Sequence, residues 1–136
     1  MAAAEERIAF ISQPLKGVAP EDAKKRLEEM VEFLKTQGFK DAFGTEVKAS
    51  LSEKNKDNKD DKQVVKCPVK ANPRVFWLGQ SISKMAEANC LVLGPGWFTT
   101  DGCVVEKTVA EKYGMTIFFL KKEQDGWKLL KDQKSF

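Results

Sequence analysis

The stretch CLVLGPGWFTTDGCVVEKTVAEKYGMTIFFL, residues 90–120, carries the clearest fold signal of the sequence. It begins with an apolar run at residues 90–93 and ends with another at residues 115–120. Continuous apolar runs of this length are typical of strands that are buried on both faces of a parallel sheet. Between them, a glycine-rich loop leads into a helical pattern at residues 102–113, which stops at Gly114. The stretch therefore predicts a strand, a helix and a second strand of one parallel sheet.

The same alternation extends toward the N-terminus. The apolar run RIAFIS, residues 7–12, predicts the first strand. Residues 20–37 follow with an apolar stripe at helical spacing, and Pro20 and Gly38 suit the start and the end of that helix. The stripe consists of Ala23, Leu27, Met30, Val31 and Leu34. A second amphipathic pattern covers residues 72–88, and its stripe consists of Val75, Leu78, Ile82 and Met85.

Other parts of the chain carry weaker signals. Residues 45–51 alternate like a half-exposed strand, residues 63–69 could form an edge strand, and residues 127–130 follow a turn as an antiparallel edge. Residues 52–62 hold four acids, four bases and nothing apolar, which predicts a mobile charged loop. Residues 1–136 are therefore predicted to form a single α/β domain. It has an open, mostly parallel sheet of about four or five strands with flanking helices, a three-layer sandwich.

The composition argues against several classes of partner. The net charge is only +3 although 32% of the residues are charged, so no basic patch for a nucleic-acid polymer or an anionic membrane is indicated. No apolar run approaches the ~20 residues that span a bilayer. The N-terminal segment MAAAEERIAF carries two acids where a signal peptide would be basic. We therefore expect a cytoplasmic protein whose partner is neither a nucleic-acid polymer nor a membrane.

The absence of histidine restricts the chemistry further. With no histidine in the chain, a Ser-His-Asp triad, a Cys-His pair and a His-ligated metal site are excluded. The three cysteines, Cys67, Cys90 and Cys103, have no metal-type spacing and are expected to be reduced thiols. Neither a metal nor a cofactor is predicted. With 20 acidic residues and a single tyrosine, carboxylate chemistry leads the enzymatic options.

Two loops are candidates for ligand binding, because ligands of open α/β sheets bind beyond the carboxyl ends of the strands. The loop after the first strand, SQPLKG, contains Ser12, Gln13, Pro14, Lys16 and Gly17. The loop after residues 90–93, GPGWFTTD, contains Gly94, Gly96, Trp97 and Phe98. Glycine and proline let the backbone approach a ligand, and the helix N-terminus that follows attracts anions. The first loop could equally be an ordinary strand-to-helix turn, and the aromatics of the second could be core rather than pocket wall.

Glu106 is the candidate catalytic residue. It shares a helical stripe with Val109, Ala110 and Tyr113, which is predicted to face protein, and no capping pattern requires a glutamate at this position. A carboxylate on an inward stripe costs free energy unless a partner or a function compensates. An ionised, partly desolvated carboxylate can act as a nucleophile. Asp101 could face the same pocket and divide acid and nucleophile roles with it.

Alternatives to this interpretation stay open. Glu106 could be a helix-start acid in a surface ion pair. Cys103 could be a rival nucleophile at the helix start, although a small buried thiol fits as well. Ser81 and Ser83 are typical of surface or helix-packing hydroxyls, and Trp77 of a core residue.

Three segments follow one another in the order IAFISQPLKG, WLGQSISKMAEANCLVL and GWFTTDGCVVEKTVAEKYG. Together they resemble the nucleoside 2-deoxyribosyltransferase-like superfamily. IAFISQPLKG resembles its first strand and ligand loop. WLGQSISKMAEANCLVL resembles its helix that ends in Ala-Asp before an apolar strand. GWFTTDGCVVEKTVAEKYG resembles its Gly-Trp loop leading to a helix with a glutamate. The order and spacing of the three segments carry the resemblance, which covers roughly residues 7–120.

The resemblance implies a flavodoxin-like or Rossmann-like sheet in a homodimer or higher homo-oligomer, with a nucleoside or nucleotide as small-molecule partner. In the family, a glutamate attacks C1′ of the sugar, the base leaves, and water or a second base takes the sugar. Glu106 matches the nucleophile and Asp101 the acid that holds sugar hydroxyls. The first loop is implied to contact sugar and 5′ groups, which loosely matches Ser12, Gln13, Pro14 and Lys16.

The resemblance also implies that Asn89 belongs to the substrate-binding residues, and at this position the chain departs from the family pattern. The family has an aspartate there that assists base protonation or pocket structure, and an asparagine offers no titratable proton. A non-catalytic nucleotide-binding protein that keeps the pocket without turnover is therefore an alternative function. An interaction module with a vestigial ligand site is a third.

Overall fold

The chain alternates strands and helices as the apolar runs predict. The computed structural model describes residues 6–44 and 67–131. In chain order its elements are β1 (Ile8–Ser12), α1 (Pro20–Thr36), β2 (Asp41–Gly44), α2 (Pro73–Met85), β3 (Cys90–Leu93), a 3-10 turn (Trp97–Thr99), α3 (Asp101–Lys112), β4 (Thr116–Glu123) and β5 (Gly126–Lys131).

The strands form one sheet in the order β2-β1-β3-β4-β5. All pairs are parallel except β4 with β5, which form an antiparallel hairpin closed at Gly126. The chain moves outward from β1 to β2, then reverses through β3 to β4, so β1 and β3 flank the point where the strand order reverses. The predicted α/β class with an open, mostly parallel sheet is confirmed, including the antiparallel last strand.

Helices cover both faces of the sheet, as expected for a three-layer sandwich. On one face, Ala9 and Ile11 of β1 pack with Met30 and Leu34 of α1. On the other face, Phe10 belongs to the cluster that holds the buried apolar residues of α2 and α3, namely Met85, Cys103 and Ala110. Because side chains alternate along a strand, Ser12 points to the same face as Phe10. The last residue of β1 therefore faces α2 and α3 at the carboxyl end of the sheet.

The second strand differs from the prediction. Residues 41–44 form β2, which pairs with β1 from Ile8↔Asp41 to Ile11↔Gly44. The predicted strand at residues 45–51 and the charged loop at residues 52–62 lie outside the described residues, as does most of 63–69. An edge strand of four residues has too few apolar positions to give a recognisable run, since only its Ala42 is fully buried.

The helix boundaries agree with the prediction to within a few residues. The stripe of α1 is confirmed, with Ala23, Met30 and Leu34 buried. On α2 the buried residues are Ser81 and Met85, whereas the predicted stripe residue Val75 is 64% exposed. Tyr113, predicted on the inward stripe of α3, is 82% exposed because it is the C-cap residue, where helical geometry has already ended. Within the described ranges, no helix combines the length and the apolar character needed to cross a bilayer.

Two glycines make a matched test of the packing. A Cβ added to Gly44 would lie 2.8 Å from Cδ1 of Leu27 and 3.0 Å from the carbonyl oxygen of Ile11, whereas one added to Gly79 would meet nothing within 4 Å. We expect Gly44→Ala to lower the free energy of unfolding by about 1–3 kcal/mol through overpacking. Gly79→Ala should raise it by about 0.5–1 kcal/mol, because alanine favours a helix interior. Urea denaturation measures both; equal effects of the two substitutions would contradict the packing described.

Candidate functional site

A large cavity opens at the carboxyl ends of β1 and β3. Its volume is about 1090 Å³, and its walls come from the loop after β1, the N-terminal half of α2 and the first turns of α3. Open α/β sheets bind ligands where the strand order reverses, and this is the position of the cavity. Ser12, Gln13, Lys16, Asp101 and Glu106 all line it. The structure thus brings residues of the first predicted loop and both predicted carboxylates around one space.

Glu106 lies on the inner face of α3. It is 6% exposed, and the neighbouring buried positions of the same helix are Cys103 and Ala110. These three residues have the i, i+3, i+7 spacing of one helix face, which places the carboxylate of Glu106 against the sheet. Among the described residues, few polar side chains are as buried as Glu106. A carboxylate in such a position is stabilised only where hydrogen bonds replace the lost water.

Two serines supply those hydrogen bonds. The Ser12 hydroxyl donates to Oε1 of Glu106 and the Ser81 hydroxyl donates to Oε2, both at 2.5 Å. Ser12 comes from the end of β1 and Ser81 from the middle of α2, and both are buried. Each carboxylate oxygen therefore has a donor from a different element. Hydrogen bonds to an ionised acceptor are among the strong ones in proteins.

Cys103 lies beside this cluster as a neutral thiol. Burial raises the pKa of the Cys103 thiol, and the nearby Glu106 carboxylate acts in the same direction. The Ser12 hydroxyl opposes the shift without reversing it. Because the thiolate is the reactive form of cysteine, a raised pKa makes Cys103 a poor nucleophile at neutral pH. The carboxylate is therefore the better candidate of the two.

Asp101 lies at the mouth of the cavity rather than at its floor. Its side chain is 95% exposed, and a carboxylate oxygen is 3.8 Å from the Arg74 guanidinium at the start of α2. The residue occupies the first turn of α3, whose N-cap is Thr100. An ion pair this long and this exposed contributes little stability. Both side chains are thus available to a ligand that enters between α2 and α3.

The loop after β1 is held from behind by α1. Arg26 donates from Nε to Oε1 of Gln13 at 2.6 Å and from Nη2 to the Pro14 carbonyl at 2.8 Å. The Gln13 amide donates to the Ala23 carbonyl at 3.2 Å. Gln13 therefore uses its side-chain amide to fix the loop, although it also lines the cavity. Lys16 is exposed on the cavity wall, and Gly17 forms the turn that follows with a φ of +75°.

The first residues of the loop after β3 have a structural role and do not line the cavity. Gly94 lets α1 pack closely on the end of β3, because a Cβ there would lie 3.3 Å from Sδ of Met30. Gly96 has a φ of +79°, which favours glycine and starts the 3-10 turn. Trp97 packs on Phe119, 5.6 Å between ring centroids, and Phe98 is 68% exposed. The four residues predicted from this loop do not line the cavity. The next residue, Thr99, does.

Asn89 lies at the opposite edge of the sheet. Its side chain accepts from the Ile8 amide at 2.9 Å and donates to the Glu6 carbonyl at 2.8 Å. The residue precedes β3, so it is at the amino end of the strand, while the cavity is at the carboxyl end. The structure does not bring Asn89 to the predicted ligand pocket. The residue instead anchors the start of β1.

We expect Asn89→Asp to cost about 1 kcal/mol of unfolding free energy and to leave ligand binding unchanged. A carboxylate can still accept from Ile8 but cannot donate to Glu6, so one hydrogen bond is lost. Thermal unfolding and calorimetric titration of the purified variant measure the two quantities. A change in affinity without a change in stability would contradict this assignment.

Several cavity residues escaped prediction from the sequence. The sequence pattern favours a surface or helix-packing hydroxyl at Ser81 and a core residue at Trp77, yet both line the cavity. Trp77, Ser81 and Met85 are spaced by four residues, and this second stripe of α2 was the available signal. No sequence pattern indicated a role in the site for Arg74 or Arg26, because single basic residues are common on amphipathic helices.

Comparison of the chain with protein-family models and with curated proteins gave no match.

Proposed function

We propose that the protein cleaves or transfers at the N-glycosidic bond of a nucleoside or nucleotide, with Glu106 as the nucleophile. One observation carries the proposal: a glutamate that is 6% exposed lines a cavity of about 1090 Å³ and accepts a serine hydroxyl on each oxygen. A buried, hydrogen-bonded carboxylate facing a large cavity at the reversal point of the sheet is typical of a functional group. The resemblance described above supplies the choice of bond.

The proposed reaction has two displacement steps. In the first, an electron pair of a Glu106 oxygen forms a bond to C1′, and the C1′–N bond breaks with its electron pair moving to the base nitrogen. The departing base takes a proton from solvent. In the second, water or the nitrogen of another base attacks C1′, and the Glu106 oxygen leaves with the electron pair of its bond to C1′. The attacking water or base nitrogen releases its proton to solvent. This sequence corresponds to retaining glycoside hydrolysis.

The walls of the cavity fit the two chemical ends of a nucleoside. Trp77 and Leu78 form an apolar wall on α2, against which a base can stack. Lys16 and Arg74 place positive charge toward the mouth, where it would attract a 5′-phosphate. Asp101 offers a carboxylate for sugar hydroxyls. Under this proposal the sugar lies between the base wall and the mouth, above Glu106.

Base release tests the proposal directly. The protein is incubated with ribo- and deoxyribonucleosides of each base and with their 5′-monophosphates, and free base is followed by chromatography. We expect release from at least one substrate, together with glycosyl transfer when a second base is added. If no member of the panel loses its base, glycosidic chemistry is the wrong assignment.

The alternative is a nucleotide-binding protein without turnover. It is favoured by one observation: both oxygens of Glu106 already accept hydrogen bonds, and such bonds weaken a nucleophile while stabilising a structural carboxylate. Calorimetry with the same panel separates the two functions. Saturable binding of a nucleotide that is recovered intact would favour the alternative.

A further inference from the structure

Ser81 is an unusual residue for its place on α2. The helix buries two residues against the rest of the protein, Ser81 and Met85, and one of them is polar. The Ser81 side chain reaches Oε2 of Glu106 on the neighbouring helix. A buried serine without a strong acceptor would cost free energy, so the pairing with a carboxylate accounts for its presence there. The contact joins α2 to α3 at the floor of the cavity.

The two serine hydroxyls together restrict the carboxylate of Glu106 more than either could alone. A single donor would hold one oxygen and restrict the torsion about the Cγ–Cδ bond less. Donors on both oxygens, one from β1 and one from α2, define the plane of the carboxylate. Orientation within a fraction of an ångström is what separates a productive nucleophile from an unproductive one.

We infer that Ser81 is a positioning residue that, together with Ser12, orients the Glu106 carboxylate toward the sugar. The catalytic consequence rests on the proposed function. When one oxygen of Glu106 bonds to C1′, the other becomes the carbonyl oxygen of an ester and still accepts a hydrogen bond. One serine hydroxyl therefore keeps its acceptor through both displacement steps, and neither serine gains or loses a covalent bond.

The charged and titratable groups around Glu106 stay the same when the Ser81 hydroxyl is removed. They come from the described elements around the cavity. They are Cys103 and Asp101 on α3, Arg74 on α2, Lys16 in the loop after β1, and Arg26 on α1, whose charge acts on the Cys103 thiol. A change in the titration of Glu106 in a Ser81 variant is therefore not caused by a change in these surrounding charges.

The test compares Ser81→Ala with Ser83→Ala, the same substitution at an exposed position of the same helix. We expect Ser81→Ala to lower kcat roughly 10- to 100-fold with KM nearly unchanged, because orientation and not binding is lost. The acid limb of its kcat/KM profile should move to higher pH, since a lost donor disfavours the ionised carboxylate. Ser83→Ala should match the wild type. Where Ser81→Ala does not fold, Ser81→Cys, with its weak S–H donor, replaces it.

A second measurement separates this inference from the proposed function. Carbon-13 spectra of labelled glutamate follow the titration of Glu106, whose signal is identified by its loss in Glu106→Gln. We expect its midpoint to rise by about half a pH unit or more in Ser81→Ala and to stay constant in Ser83→Ala. A wild type without activity on any substrate would overturn the proposed function and leave this titration to decide the role of Ser81. Equal midpoints in the two variants would overturn the inference whether or not the protein is active.

Discussion

Glu106→Gln is expected to reduce base release at least about 10³-fold, because an amide is not a nucleophile. The protein should stay folded. The substitution nearly preserves shape. A serine hydroxyl can accept as well as donate, so Ser12 or Ser81 can turn to accept from the new amide. The affinity for the intact substrate should change little. Initial rates and calorimetric titration of the same preparation measure both effects.

Glu111→Gln is the matched control for this experiment. It makes the same change on the same helix at an exposed position, where the lost partner is the surface ion pair with Lys107. Such pairs contribute less than about 1 kcal/mol, so its rate should equal that of the wild type. Equal base release by Glu106→Gln and Glu111→Gln would exclude Glu106 as the nucleophile.

Arg26→Met is expected to raise KM roughly tenfold or more, with a smaller change in kcat. The guanidinium holds Gln13 and the Pro14 carbonyl, and methionine keeps the stem of the side chain without the donors. The loop after β1 would then sample several conformations, and ordering it again on binding lowers the affinity. The nucleophile on α3 is untouched, which is why kcat is less affected.

Lys25→Met removes the same charge from the adjacent, exposed position of α1. It separates the loss of the loop contacts from the loss of a positive charge near the cavity. We expect its KM to stay within about twofold of the wild type, since an exposed charge is screened by salt. A rise in KM as large as that of Arg26→Met would mean that charge, and not loop order, determines affinity.

The fold could be predicted from the sequence because its strongest signals are local. The predicted runs contain residues 9–12, 90–93 and 117–120, which are buried on both faces, and continuous burial leaves a continuous apolar pattern. The stripe of α1 is equally clear, because among the described helices α1 is the one that packs on that face of the sheet. β2 was missed, since a short edge strand buries too little side-chain area to leave a pattern.

The candidate site was predicted in part for a similar reason. Glu106 could be found because it interrupts a stripe that should be apolar, and Asp101 because it precedes the same helix. Ser81 and Arg26 could not be assigned, since their roles depend on how α1 and α2 pack beside the strands. Asn89 matches a family motif by its position next to an apolar run. That run forms β3, and Asn89 precedes it, so the residue lies at the amino end of the strand, away from the cavity.

The alternation of side chains along β1 has a consequence for how the site can vary. Ser12 reaches Glu106 because it lies an even number of positions from Phe10, on the face that α2 and α3 cover. A hydroxyl moved by one position would point toward α1 instead. A variant that lacks the Ser12 hydroxyl thus cannot be rescued by a serine at position 11. Compensating changes must arise on the helices opposite, far away in the chain but adjacent in space.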